Sequence, residues 1–196
     1  MRISISSGHN KGTGARAYNG DDEWTHNEKL RVLLVEELEF QGHTVKSHFR
    51  DIKQGYTGAM RKLANEIKAF RADVCLELHF NSASPKAHGF EFLYYKGSRM
   101  GKKLANLLSV WYSAKDESFH PFKSKLPFSK RRGTGTLARG RFSRGSTYLR
   151  ITPCPAIIVE THFGSNIKDH NNAIVTQRQQ AKAIARALTE YERLYL

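Results

Sequence analysis

Apolar and polar positions along the chain switch between two periods, and the switches predict its elements. Residues 1–7 carry Ile3 and Ile5 among polar neighbours with period two and break at Gly8-His9, as a short strand does. Over 25–41 the period becomes helical, with Leu30, Leu33, Leu34 and Leu38 on one face and Gly42 as a C′ stop. Residues 43–49 alternate again, as a second strand. Helices are predicted over 57–71, from Met60, Leu63, Ala64 and Ile67, and over 99–113, from Leu104, Leu107, Leu108 and Trp111. Runs of β character predict strands at 74–80, 89–95 and 155–161. A last helix over 169–194 places Ile174, Ala181, Ile184, Ala185, Leu188 and Tyr191 on one face.

Strands alternating with helices imply an α/β fold, a twisted, mostly parallel central sheet flanked by helices. The 196 residues suffice for one domain with a substantial core, and neither an internal repeat nor a linker to a second domain is evident. The expectation is a single domain over 1–196. Residues 116–147 interrupt the pattern with Pro121, Pro127, Gly133, Gly135, Gly140 and Gly145, and read as an irregular excursion rather than a core element.

A hydrophobic fraction of 39% with 11% aromatics excludes a disordered chain. No run of about 18 apolar residues predicts a transmembrane helix. The first residues lack the apolar stretch of a signal peptide, so the chain is expected to be made in the cytoplasm and, if it acts outside, to be released by another route. Cys75 and Cys154 stand in no metal or redox spacing and read as buried thiols.

Charge narrows the partners. The net charge is +14, and residues 115–150, with ten Lys or Arg against two Asp or Glu, carry +8 of it. Such a patch points to a polyanion: nucleic acid, lipopolysaccharide, teichoic acid or bare cell wall. Charge alone does not choose among them.

The chemistry-bearing residues lie at the carboxyl ends of predicted strands, where open α/β sheets build their sites. His9 follows the first strand. His79 ends another, on the same face as Cys75 and Glu77, with Asn81-Ser82 beginning a polar loop. Glu160 closes the apolar run 156–159, where a carboxylate is costly unless paired, hydrogen-bonded or metal-bound. Burial there raises a carboxyl toward the range of a general base, although a structural ion pair would explain the same placement. Glu23 precedes the first helix, where it would also complement the helix dipole. Two His and two Glu converging at such ends can make a zinc hydrolase site.

The ordered set resembles the zinc-dependent N-acetylmuramoyl-L-alanine amidases of bacterial wall turnover and phage lysins. Ile5-Ser6-Ser7-Gly8-His9 is similar to that family's strand ending in Pro-Gly-His, and Glu23, four residues before Asn27, to its Glu at the first helix. Ala72-Asp73 through His79-Phe80-Asn81-Ser82 resembles its Ala-Asp…Ser-Ile-His-Ala-Asn, and Gly89-Phe90-Glu91 its Gly-Val-Glu. Arg139-Gly140, Leu149-Arg150, the run 155–160, Ser165-Asn166 and Asp169 follow in the family's order.

The resemblance implies that His9, Glu23 and His79 hold Zn2+, that Glu160 is the catalytic carboxylate, and that Asn81 and Arg139 face the substrate; His162, where the chain departs from the family, is expected on the substrate side or behind the residues that touch the metal. It implies cleavage of the amide between N-acetylmuramic acid and L-alanine of peptidoglycan, in cell-wall lysis of the endolysin type, with action on the wall after release. The basic stretch, with Lys130, Arg131 and Arg132, is then expected to anchor the enzyme on an anionic wall or outer-membrane surface. Asn10-Lys11 replace the family's glycines, Glu77 replaces a small residue and His162 a glycine.

Two other readings stand beside this one. A basic nucleic-acid-binding domain would use Phe119, Phe122, Phe128, Phe142 and Tyr148, interleaved with Arg and Lys, but leaves the His and Glu placements unexplained, and no dedicated nucleic-acid segment is evident. A catalytically inactive wall-binding protein of amidase fold would not need all four key residues. Asp21, Asp22 and Glu28 are alternative ligand carboxylates, and Glu77 an alternative base.

Overall fold

The structure is a computed structural model that describes residues 1–50, 55–113 and 135–196. Its elements are β1 (Arg2–Ser7), α1 (Glu23–Phe40), β2 (Thr44–His48), α2 (Gly55–Phe70), β3 (Val74–Asn81), β4 (Glu91–Tyr95), α3 (Arg99–Tyr112), β5 (Thr136–Arg139), α4 (Ser146–Ile151), β6 (Ala156–Phe163), α5 (Ile167–Val175) and α6 (Gln177–Tyr195). Among the described residues the strands form one six-stranded sheet in the order β2-β1-β3-β6-β4-β5. Strands β2, β1, β3 and β6 run parallel; β4 is antiparallel to β6 and carries β5 parallel on its far side. The carboxyl ends of β1, β3 and β6 therefore share one edge.

Each sheet face carries its own core. Helices α1, α3 and α6 pack together over Ile3, Ile5, Val74, Leu76, Leu78, Ile157 and Val159. On the other face, Met60, Leu63 and Ile67 of α2 and Tyr148 and Leu149 of α4 cover Cys75, Ala156 and Ile158. Strand β3 thus sends alternate side chains to opposite cores, and the period of two puts Glu77 and His79 on the α2/α4 face. Cys75 and Cys154 are both free thiols.

Helix α1 begins where Asp22 accepts a hydrogen bond from the Thr25 N–H at 2.9 Å, an N-cap that leaves Glu23 as the first helical residue. Leu30, Leu34 and Leu38 are fully buried at i, i+4 spacing. Truncating one of them to Ala should cost ~2–5 kcal/mol. The helix ends at Gly42, whose φ of 84° needs no Cβ accommodation.

Three elements differ from the sequence reading. The single helix predicted over 169–194 is two, because Thr176 (φ −114°, ψ 12°) leaves the helical region. Its hydroxyl donates to the Asn172 carbonyl at 2.7 Å, and Gln180 Nε2 donates to the Ala173 carbonyl at 3.0 Å, so the carbonyls ending α5 are bonded without helical continuation. Ile174 consequently lies 44% exposed rather than in the core. Within the excursion predicted at 116–147, residues 136–139 form the edge strand β5 and α4 starts at Ser146. β5 is held by β4 rather than by an apolar pattern of its own, which is why its four residues read as irregular. Residues 116–134 of that excursion lie outside the described residues.

Candidate active site

The register of the central strands assembles the site. His79 and Glu160 are paired positions on β3 and β6, and Glu160 is paired on its other side with Glu91 of β4. His9 follows β1 with φ 67°, a left-handed conformation uncommon outside glycine. The Gly8 N–H donates to the Leu78 carbonyl at 2.7 Å, continuing the β1–β3 ladder to the site.

The glycines beside His9 are there for space. A Cβ on Gly8 would lie 2.0 Å from His79 Cε1, and one on Gly14 (φ 98°) would lie 2.8 Å from the His9 ring and 2.9 Å from Glu23 Oε2. Both backbones must be bare for the imidazoles and the carboxylate to meet.

Glu23 is the hub. Its Oε1 lies 2.8 Å from His79 Nδ1 and accepts from the Phe80 N–H at 3.2 Å; its Oε2 accepts from the Ala15 N–H at 2.8 Å and lies 3.3 Å from His9 Nε2. One donor atom from each of His9, Glu23 and His79 lies within 4.8 Å of the others. The other nitrogen of His79, Nε2, lies 3.1 Å from Glu77 Oε2, and Arg50 Nη2 donates to Glu77 Oε1 at 2.6 Å. Glu160 lies half-buried beside them, and its Oε2, shielded from solvent, has no hydrogen-bond partner among the described residues.

Proton affinities follow from these contacts. Burial opposes the charge of Glu77, but the Arg50 guanidinium and His79 outweigh it and bring its carboxyl to about 2. Burial likewise opposes the charge of Glu23, and the His79 hydrogen bond, His79 and His9 hold it below the usual range. His79 is buried, yet Glu23, Glu77 and Glu160 hold its proton up to about 10. His9 is lowered, chiefly by burial. Glu160 is raised to about 7 by burial, with Glu23 and Glu91 adding to the rise and His79 opposing it.

The donor set fits a divalent cation. Carboxylates Glu23, Glu77 and Glu160 converge here with Arg50, and in the protein alone His79 balances them by keeping a proton. A metal ion bound by two imidazoles and a carboxylate would supply that charge and release the proton, and this is a zinc-type ligand set.

A cleft of about 270 Å³ opens onto these residues. Asn81 and Arg139 line it, and Asn81 Nδ2 donates to Glu91 Oε2 at 2.8 Å. His162 does not line it. It is fully buried, with Nε2 3.0 Å from His170 Nδ1, because the strand register shifts between His79 and Asn81 as β6 continues to Phe163. The substrate-facing expectation for His162 is therefore corrected. Lys130, Arg131 and Arg132 lie outside the described residues. The alternative carboxylates are engaged elsewhere: Asp22 caps α1, Asp21 meets His170, and Glu28 pairs with Arg31. Arg50 and Arg144, which also line the cleft, had no motif to announce them. For Arg50 the one signal was Glu77, a carboxylate on a buried strand that requires a cation.

Residues 3–190 match the family described as N-acetylmuramoyl-L-alanine amidase (Amidase_3), and the chain belongs to that family. No curated protein matches it in sequence. Among solved structures, the catalytic domain of the CD27L endolysin targeting Clostridia difficile is 21% identical with a TM-score of 0.76, over 97% of each chain. The amidase AmiC2 of Nostoc punctiforme is 22% identical with a TM-score of 0.78, over 98% of this chain and 97% of that one. Ami1 of Mycobacterium smegmatis is 15% identical with a TM-score of 0.79, over 97% and 96%. These likenesses establish a shared fold.

Proposed function

We propose that this member of the amidase family is a zinc-dependent peptidoglycan hydrolase that cleaves the amide between the lactyl group of N-acetylmuramic acid and L-alanine. One observation carries the reading: three ligand atoms from His9, Glu23 and His79 within 4.8 Å of one another, beside the Glu160 carboxylate, whose shielded Oε2 has no hydrogen-bond partner among the described residues. Zinc held by these three residues would polarise the scissile carbonyl and lower the pKa of a bound water.

The chain's own residues supply the rest. Glu77 accepts the Nε2 proton of His79 and so turns Nδ1 toward Glu23, the arrangement that orients metal-binding imidazoles elsewhere. Arg50 keeps Glu77 ionised. Glu160, raised by burial, is suited to accept the proton of the attacking water and pass it to the departing amine. Asn81, Arg139 and Arg144 face the cleft and would hold the polar stem and sugar.

The net charge of +14 supports retention on an anionic wall or outer-membrane surface, with Lys130, Arg131 and Arg132 among the contacts. The biological role that fits best is wall lysis of the endolysin type, after release from the cell that made it. The test is zinc content. Wild-type protein should hold zinc at this site, and His9→Ala, Glu23→Ala and His79→Ala variants that stay folded should lose it. Undiminished zinc in any one of them would remove that residue from the ligand set.

A further inference from the structure

On the far side of Phe80 from the catalytic cluster, three more histidines meet. His26 of α1, His162 of β6 and His170 of α5 are 5%, 0% and 0% exposed, and one nitrogen of each lies within 4.8 Å of the others. Their ring centroids are 4.8, 5.2 and 5.5 Å apart. Imidazoles bound to one tetrahedral ion at 2.0–2.1 Å would have centroids roughly 5 Å apart.

The hydrogen bonds around the cluster orient two of its rings. His170 Nε2 lies 3.1 Å from Asp21 Oδ2, and an ionised carboxylate only accepts, so Nε2 carries a proton and Nδ1 is the nitrogen turned toward the cluster. His162 Nδ1 lies 2.9 Å from Thr161 Oγ1, which leaves Nε2 as its inward nitrogen, 3.0 Å from His170 Nδ1.

Burial, aided by the neighbouring His170, lowers His26 to about 4, and burial with His26 and His170 lowers His162 well below its ordinary value. Neutral imidazole is the form that binds transition metals. Asp21 behind His170 forms the carboxylate–histidine pairing that fixes the tautomer of a metal ligand. A cavity of about 240 Å³ leads to His26 past Asp21, Asp22, Thr25, Lys29 and Gln177, with the two carboxylates offsetting the lysine at its mouth.

We propose that His26, His162 and His170 form a second divalent-metal site, of the zinc class, that ties α1, β6 and α5 together. It is independent of the catalytic assignment, since it shares none of those ligands. The direct test is titration of metal-free protein with Zn2+, read by calorimetry and by elemental analysis after desalting. Wild-type protein should bind two ions. A His9→Ala/His79→Ala variant should bind one, and adding His162→Gln and His170→Gln should abolish it. Because those buried changes can impair folding, Asp21→Asn, at a half-exposed side chain, is the second arm. In the His9→Ala/His79→Ala background it should weaken the remaining site ~10–100-fold. A His9→Ala/His79→Ala protein that is folded and binds no zinc would overturn the proposal, as would zinc affinity unchanged by Asp21→Asn.

Discussion

His79 and Glu160 are register partners on adjacent parallel strands, so one backbone pairing sets the distance between the His79 imidazole and the Glu160 carboxylate. The sheet, rather than a loop, fixes the spacing between the proposed metal-binding and proton-transferring halves of the site. Glu160→Gln preserves size and should keep both fold and zinc while removing the base. Turnover should fall ~10²–10⁴-fold. Lysis at the wild-type rate by a zinc-replete Glu160→Gln protein would remove that role from Glu160 and make Glu77 the next residue to test.

The Arg50–Glu77 pair is predicted to be non-additive. Arg50→Met leaves a buried carboxylate short of its main partner and should cost ~3–5 kcal/mol in denaturant unfolding. The Arg50→Met/Glu77→Gln double variant should recover much of that stability yet bind zinc ~10–100-fold more weakly, because His79 has lost its orienting carboxylate. Strictly additive losses of stability would count against the coupling.

Gly8 is predicted to be intolerant for a steric reason confined to the site. Gly8→Ala places a Cβ where the His79 ring now sits, 2.0 Å from Cε1, and the ring must leave. The variant should remain folded by circular dichroism and lose its catalytic zinc. Zinc bound at wild-type affinity would show that His79 can be held from another position.

Acid sensitivity of the metal-free protein should report His26. Its folded-state pKa is depressed from 6.5 to about 4, so the unfolded chain takes up the proton first. Stability therefore falls as the pH drops from 6.5 to about 4, by on the order of 3 kcal/mol, and the contribution levels off below that. His26→Gln should flatten this part of the pH profile of urea unfolding. Parallel profiles for the two proteins would exclude His26 as the source.

Much of this arrangement was legible in the sequence. His9, His79 and Glu160 announced themselves as polar residues ending apolar strands, and the βαβ pattern put those ends on one edge. Glu23 was legible only with the family order beside it, because a carboxylate at a helix start has an ordinary electrostatic reason to be there. What could not be read arose from contacts distant in sequence. Arg50 meets Glu77 across 27 positions, and β5 exists because β4 offers an unpaired edge. His162 was read toward the cleft because it stands two positions after Glu160; the register shift beside His79 sends it instead to His26 and His170.

The anchoring role of the basic stretch should separate from chemistry by salt. Exposed charge is screened over ~10 Å at 0.1 M salt. Rising salt, or neutralising Lys130, Arg131 and Arg132 together, should weaken binding and lysis of intact walls while sparing a small soluble muropeptide. Equal loss on both substrates would put those residues at the active site, and tight salt-sensitive DNA binding without wall activity would favour a nucleic-acid partner.

The central claim is the bond that is cut, and mass spectrometry of peptidoglycan digested by zinc-restored protein tests it most directly. The account predicts released stem peptides beginning with a free L-alanine amine and glycan strands left intact. New reducing ends without new amino termini would contradict it, since that is the product of a glycosidase, whose chemistry uses two carboxylates flanking a sugar bond.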